Sequence, residues 1–325
     1  IIIILILVWL YTNKSGIKTI VWTDTMQTIF LILGASITIY TIINTLDFSI
    51  TESFERITSH EYFKIFNWES DSGNNFYKQF IAGILVAIAM IGLDQNMMQK
   101  TLTCKNVWDA QKNTLTYSII LAMTQFLFMG LGVLMYVYAN EMGILLPKGE
   151  NGLFLNTDNL FPNLALNHLG TLAGIFFILG IIAASFSSVD SALTALTTSF
   201  TYDFLDISNK SSKTKKQLKN LVIILFSCII FVIILSFSNS KGDVISLIFK
   251  VAGYTYGPLL GLYLLGMFSK IKLKDKWVPV ICLSAPIITY LLGQFSINTF
   301  NFDFGFINIA VNASLTVIGL LLIKK

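Results

Sequence analysis

Long apolar runs separated by short polar segments constrain this chain more than any other feature of its sequence. A helix that crosses the hydrocarbon core of a bilayer needs about 20 apolar residues, and the runs reach this length. Only 12% of the residues are charged, against roughly 25% in an average soluble domain. Because lipid offers the backbone no hydrogen-bonding partner, each run must be helical. The sequence therefore predicts an all-α transmembrane fold.

The pattern predicts the end of one helix followed by about eight complete spans. The first residues, Ile1–Tyr11, are apolar and show neither the basic start nor the cleavage site of a signal peptide. We therefore expect the chain to begin inside a helix and to be incomplete at its N-terminus. The complete spans are predicted at Ile17–Asn44, Phe76–Lys100, Thr114–Asn140, His168–Tyr202, Leu221–Phe237, Val244–Phe268, Trp277–Ser296 and Phe304–Ile323.

The segments between the spans alternate in charge. One set carries 16 of the 22 Lys and Arg residues, at 12–18, 100–113, 209–219, 270–276 and 324–325. The other set carries 11 of the 18 Asp and Glu residues, at 46–77, 141–167, 238–243 and 298–303. Because cytoplasmic loops retain Lys and Arg, we expect a multi-pass protein of the plasma (inner) membrane with its basic loops and C-terminus in the cytoplasm. The long segment 46–77 is expected to be either a short helix or a solvated loop.

Four ionisable residues stand out inside the predicted spans, where a charge is costly and by default faces protein or water. They are Asp24, Asp94, Asp190 and Lys250. Asp24 and Asp190 both lie toward the cytoplasmic ends of their helices, so their carboxylates can line one site. Asp94 lies near a helix end, where partial hydration explains it without a special role.

The segment around Asp190 is polar in a way that suits a small cation. Hydroxyls recur at spacings of three and four, at Ser187, Ser188, Ser191, Thr194, Thr197 and Thr198. Small residues that allow a second helix to approach precede and adjoin them, at Gly174, Gly180, Ala183 and Ala184. Hard cations take oxygen ligands of these kinds. Helix packing alone explains the small and hydroxyl residues, but packing does not require a carboxylate.

The segment Val251–Gly261, VAGYTYGPLLG, contains three glycines and Pro258 within a span. This composition predicts an unwound or hinged helix, whose free carbonyls can bind ions or substrate; a simple proline kink is the alternative. Lys250 directly precedes the segment. Its ammonium either extends outward to the membrane surface or faces a path for substrate.

Four segments together resemble the sodium:solute symporter family, which includes sodium/glucose, sodium/proline, iodide and sialic acid transporters. In family order they are IVWTDTMQ (20–27), DQNMMQKTLTCKNVWDAQK (94–112), FSSVDSALTALTTSFTYDF (186–204) and YTYGPLLGLYLLGMF (254–268). The resemblance implies a partial leucine-transporter-type bundle of inverted repeats that gives alternating access to a central site. Within a single transporter domain over 1–325, it implies the end of the first repeat at 1–44, the second repeat at 76–268 and additional C-terminal helices at 277–323.

The resemblance also implies sodium as the coupling ion. Ala184, Ser187 and Ser188 would form one half of the principal sodium site, with carbonyls of a preceding core helix that the chain is expected to lack. A second sodium position would involve Asp24, Ser187, Asp190 and Ser191. One of these positions is an acid here where members of the family carry Ser or Thr. Two carboxylates hold a cation more tightly or share a proton, so the number of ions stays open.

The resemblance implies a substrate pathway that departs from the pattern of the sugar transporters. Its candidate residues are Lys250, Thr255, Ala87, Met90, Ile91 and Gln95. Ala87, Met90 and Ile91 stand near positions that carry Asn and aromatic residues in galactose transporters. Lys250 stands where glucose and galactose transporters carry Gln, and a cation there favours an anionic solute.

Sodium-coupled symport of a small solute across the bilayer is the predicted function, with no nucleic-acid partner. A proton-coupled transporter of the same fold, with Asp24 and Asp190 as the relay, is one alternative, and a transporter-like membrane sensor is another. An enzyme is not predicted, because the sequence has no HExxH motif and no histidine base accompanies Asp190 and its serines. The sequence predicts neither the identity of the solute nor the oligomeric state.

Overall fold

The computed structural model describes residues 17–146, 157–238 and 244–325. The predicted helix end Ile1–Tyr11 and parts of the segments 12–18, 141–167 and 238–243 lie outside the described residues. Within the described ranges the α-helices are α1 (Ile17–Thr45), α2 (Ile50–Ser59), α3 (Phe76–Gly92), α4 (Gln95–Thr101), α5 (Val107–Glu141), α6 (Leu160–Asn167), α7 (Gly170–Ser199), α8 (Ser212–Ser238), α9 (Val244–Phe268), α10 (Val278–Phe300) and α11 (Asn308–Leu322). A π-helical turn, Phe200–Phe204, extends α7.

Seven helices of the described chain, α1, α5 and α7 to α11, are long and apolar enough to cross a membrane. The bent pair α3 and α4 makes an eighth if the two are counted as one span. Large apolar side chains such as Phe126, Leu283 and Leu322 are exposed on these helices, as expected of surfaces that contact lipid rather than water. The predicted all-α fold of membrane-spanning helices is confirmed.

The span predicted at Phe76–Lys100 is broken rather than continuous. α3 ends at Gly92, α4 begins at Gln95, and the two helices are bent by 61°. The Asp94 carboxylate accepts the backbone N–H groups of Asn96 and Met97 at 2.9 and 3.1 Å. This is the arrangement of an N-terminal helix cap, so Asp94 begins a new helix instead of continuing the old one.

The predicted unwinding at Val251–Gly261 is wrong, because α9 is continuous through this segment with Pro258 inside it. Proline has no N–H, so the carbonyl four residues earlier, that of Tyr254, loses its helical donor. The amide of Asn312 on α11 donates to this carbonyl at 2.8 Å and to the Gly253 carbonyl at 3.2 Å. A side chain from a neighbouring helix thus replaces the missing backbone bond.

The glycines of α9 serve helix packing. A Cβ atom at Gly257 would overlap the Asn312 side chain, and one at Gly261 would lie 2.8 Å from the Cβ of Thr316. Together with Gly253 they recur every four residues, which places them on one face. Small residues at this spacing let two membrane helices approach closely, so the glycines set the contact between α9 and α11.

The helices divide into two compact units, Ile1–Phe63 with Gln99–Gly242 and Lys64–Met98 with Asp243–Lys325. In the first unit, α1 packs along α7, and α5 and α6 add an apolar core. Its buried members include Ala35, Ile42, Leu134, Tyr138 and Leu164. In the second unit, α9, α10 and α11 pack on one another, and α9 and α11 also contact α3.

The segment 46–77 contains a short helix, α2, as one of the two alternatives predicted. Ser49 caps its first turn by accepting the N–H of Glu52 at 3.1 Å. α2 packs on α5, and Arg56 forms an exposed ion pair with Glu141 at 3.4 Å. The helix therefore lies against the first unit.

Candidate cation site between two antiparallel helices

α1 and α7 run antiparallel in close contact. A Cβ atom at Gly34 would lie 3.4 Å from the Phe176 carbonyl, and one at Gly180 would lie 3.3 Å from the Leu31 side chain. Residue numbers thus rise along one helix as they fall along the other. The absence of side chains at these glycines permits the approach. The same register brings Asp24, seven residues before Leu31, opposite Ser187, seven residues after Gly180.

Asp24 is held by two different partners. Its Oδ1 accepts a hydrogen bond from the Ser187 hydroxyl, and its Oδ2 accepts one from the Lys100 ammonium at 2.5 Å. The side chains of Asp24 and Lys100 are 28% and 22% exposed, whereas Ser187 is buried. A carboxylate, an ammonium and a hydroxyl from α1, α4 and α7 therefore form one cluster.

Buried oxygen atoms continue along α7 beyond Ser187. Asp190 is 2% exposed, and Ser191 and Thr197 are also buried. The hydroxyl oxygens of Ser191, Thr194 and Thr197 have no hydrogen-bonding partner among the described residues. Buried polar groups normally find a partner, so this stripe offers oxygen atoms that a cation can use.

Ala184 and Ser188 are more exposed than the buried stripe of α7. Ser188 is exposed and Ala184 is half-buried, while Ser187, between them in sequence, is buried against α1. One turn of a continuous helix thus presents one hydroxyl to the Asp24 cluster and another to an open face.

The residues predicted for the substrate pathway lie in the second unit. Ala87, Met90 and Gln95 are exposed and Ile91 is half-buried on α3 and α4, while Lys250 and Thr255 are exposed on α9. The Thr255 hydroxyl donates to the Val251 carbonyl of its own helix at 3.1 Å. Lys250 forms no ion pair within the described residues. The structure thus places these residues on neighbouring helices without joining them in one site.

Comparison with known proteins identifies the family. A family model described as the sodium:solute symporter family matches residues 1–274, which is most of the chain. The chain belongs to the sodium:solute symporter family.

The chain is similar to several sodium-coupled transporters. It is 25% identical to the sodium/sialic acid symporter of Proteus mirabilis over 83% of this chain and 55% of that protein. It is 25% identical to the human sodium/iodide cotransporter over 79% of this chain and 40% of that protein. It is 24% identical to the sodium/glucose cotransporter of Vibrio parahaemolyticus over 80% of this chain and 50% of that protein. The chain spans about half the length of the curated relatives it matches.

For this member of the family, the structure joins some predicted site residues and adds one that the pattern missed. Asp24 and Ser187, 163 residues apart, form a hydrogen bond, and Asp190 and Ser191 follow within one turn of α7. Lys100, placed by the sequence where the span Phe76–Lys100 meets the basic segment 100–113, contacts Asp24 directly. The sequence contained a signal for this contact, because Asp24 and Lys100 both lie near the predicted cytoplasmic ends of their spans.

Proposed function

We propose that the full-length protein couples the inward movement of sodium to the uptake of a small solute by alternating access. The main support is the hydrogen bond between Asp24 and Ser187, at the start of a stripe of buried oxygen atoms in an apolar helix. Membership of the sodium:solute symporter family and the names of the relatives support sodium as the coupling ion. In this proposal the segment 1–44 ends the first inverted repeat, 76–268 forms the second, and 277–323 adds further helices.

The principal sodium site is proposed at Ala184, Ser187 and Ser188 on α7. A serine that binds a cation through its oxygen must direct its hydrogen elsewhere. The Asp24 carboxylate accepts the hydrogen of Ser187, which leaves the lone pairs of this oxygen for a cation. Asp24 therefore orients a proposed ligand of the principal site, in the way that a second layer of residues orients metal ligands.

A second cation position is proposed at Asp24, Ser187, Asp190 and Ser191. The Ser191 hydroxyl is buried and has no hydrogen-bonding partner among the described residues. Asp190 lies three residues after Ser187, within one turn of the same helix. Carboxylate and hydroxyl oxygens suit a hard monovalent cation, so the chemistry of these residues fits sodium.

Sodium entry would drive uptake through the membrane potential and the sodium gradient. Each charge that crosses the membrane contributes roughly 2.3 kcal/mol per 100 mV. Coupling requires that ion and solute favour the same conformational state, with a coupling free energy of about 1–3 kcal/mol. The sodium site on α7 therefore has to change its affinity between the two states of the transporter.

Uptake by the full-length protein in proteoliposomes tests this proposal. We expect uptake to require sodium, and Ser188→Ala to raise the sodium concentration for half-maximal uptake about tenfold, since losing about 1.4 kcal/mol has this effect. Ser236→Ala is the matched control, because this exposed hydroxyl of α8 donates to the Val232 carbonyl of its own helix at 2.9 Å. Unchanged sodium dependence in Ser188→Ala would remove the assignment of the principal site.

An anionic solute is proposed on the basis of Lys250, an exposed cation on the apolar helix α9. The pathway would include Lys250 and Thr255 on α9, and Ala87, Met90, Ile91 and Gln95 on α3 and α4. Two of the relatives are named for sialic acid and iodide, which are both anions. We expect wild-type protein to transport an organic or sugar acid and Lys250→Gln to lose this preference. Equal uptake of neutral sugars by both proteins, with no transport of anions, would contradict the proposal.

Proton coupling is the second candidate, and the burial of Asp190 at 2% exposure favours it. A carboxylate in such a place can exchange a proton instead of binding a metal ion. Uptake that follows a pH gradient and ignores sodium would select this alternative.

A further inference from the structure

Lys100 places a positive charge at the proposed second cation position. Its ammonium lies 2.5 Å from Asp24 Oδ2, while Asp24 Oδ1 accepts the hydrogen of Ser187. A sodium ion that used Asp24 Oδ2 would have to displace this ammonium. The Lys100 ammonium and the sodium ion would compete for this carboxylate oxygen, because both are cations.

We propose that Lys100 is a tethered cation that takes the place of a second sodium ion at Asp24 and so sets the number of ions coupled to transport. The proposal rests on the proposed sodium-coupled function. A positive charge attached to the chain does not have to be captured from solution, and it neutralises Asp24 throughout the cycle as long as the contact holds. Lys100 is thus a positioning residue that determines ion stoichiometry rather than a ligand of the transported ion.

The charges of the cluster agree with one sodium ion. With both carboxylates ionised, Asp24, Asp190 and Lys100 carry one net negative charge, which one sodium ion balances. Without the charge of Lys100 the same residues would carry two net negative charges. A second cation would then be favoured at Asp24, because opposite charges at this separation attract strongly where water is partly excluded.

A purely structural role for the ion pair is the competing explanation. The Lys100–Asp24 contact joins α4 to α1, and a partly exposed pair of this kind stabilises a protein by about 1 kcal/mol or less. Loss of an ion pair with a purely structural role lowers stability and activity. It does not change how many sodium ions accompany each solute molecule, so the ratio of the two fluxes distinguishes the explanations.

The experiment measures sodium and solute fluxes in parallel, with full-length protein in proteoliposomes. We expect about one sodium ion per solute for wild type and for Lys100→Arg, which keeps the charge, and about two for Lys100→Gln. Lys105→Gln is the matched control, because Lys105 is exposed in the same basic segment, and it should keep the wild-type ratio. Asp24→Asn removes the carboxylate that a second sodium ion would use, so it should not raise the ratio above that of wild type.

The outcomes separate this inference from the proposed function. A ratio that stays at one in a folded Lys100→Gln protein overturns the role of Lys100 and leaves sodium coupling intact. Uptake by wild type that does not depend on sodium overturns both. If Lys100→Gln does not fold, wild type and Asp24→Asn decide the matter. A wild-type ratio of two that falls to one in Asp24→Asn would show that Asp24 binds a transported sodium ion despite Lys100.

Discussion

At the scale of single residues, Asn312 compensates for a proline inside a membrane helix. Pro258 leaves the Tyr254 carbonyl without a backbone donor, and the Asn312 amide, which is fully buried, donates to it from α11. An unpaired carbonyl in a bilayer is costly because no water can replace the missing donor. Asn312 therefore allows α9 to stay helical around its proline.

This role predicts that the effect of substituting Asn312 on the free energy of unfolding depends on whether Pro258 is present. Asn312→Leu should reduce the free energy of unfolding by about 1–3 kcal/mol, the usual cost of an unsatisfied buried polar group. In a Pro258→Ala background the cost should be smaller, because the restored N–H can bond the Tyr254 carbonyl. Thermal unfolding of the four proteins in detergent measures the interaction. Equal costs in both backgrounds would contradict this account.

At the scale of helices, glycine permits close packing at two contacts that carry polar groups. Gly34 and Gly180 bring α1 against α7, and Gly257 and Gly261 bring α9 against α11. Both contacts position polar groups, Asp24 opposite Ser187 in the first case and Asn312 beside Tyr254 in the second. Small residues in these helices therefore set the register on which the polar contacts depend.

The packing role of the glycines predicts opposite effects for two equivalent substitutions in α9. Gly257→Ala should lower the melting temperature, because its methyl group would overlap Asn312 and overpacking costs about 1–3 kcal/mol. Gly266→Ala is the control, since nothing lies within 4 Å of a Cβ atom there. It should leave stability unchanged or raise it by about 0.5–1 kcal/mol through helix propensity. If both variants had the same melting temperature, contact with α11 would not explain the glycines of α9.

At the scale of the whole molecule, the alternation of charge along the chain predicts its orientation in the membrane. Lys and Arg residues are concentrated in every second connecting segment, and such segments remain in the cytoplasm. Ser211 lies in a basic segment and Ser70 in an acidic one, and both are exposed. The two positions are therefore expected on opposite sides of the membrane.

Labelling with a membrane-impermeant maleimide tests this orientation. The three cysteines of this chain, Cys104, Cys228 and Cys282, are free thiols and would first be replaced by serine. In intact cells we expect Ser70→Cys to react at once and Ser211→Cys to react only after permeabilisation. If Ser211→Cys reacted in intact cells and Ser70→Cys only after permeabilisation, the basic segments would lie outside.

The local sequence determined the properties that depend on composition over one helix length. It predicted the membrane-spanning helices, their approximate limits and the ionisable residues within them, because burial in lipid selects long apolar runs wherever they occur. It also predicted the polar stripe of α7 around Asp190, since that stripe follows from spacing on a single helix. The family resemblance then supplied the proposed roles of Ser187 and Ser188, which no spacing rule contains.

Only the tertiary structure decided which distant residues meet. Lys100 and Asp24 are 76 residues apart, and Asn312 and Tyr254 are 58 apart. Their contacts depend on how two helices pack and in which register, and that register is set by small shape differences at positions such as Gly180 and Gly257. For the same reason the glycines of α9, read along the chain as signs of unwinding, proved to be a packing surface for α11.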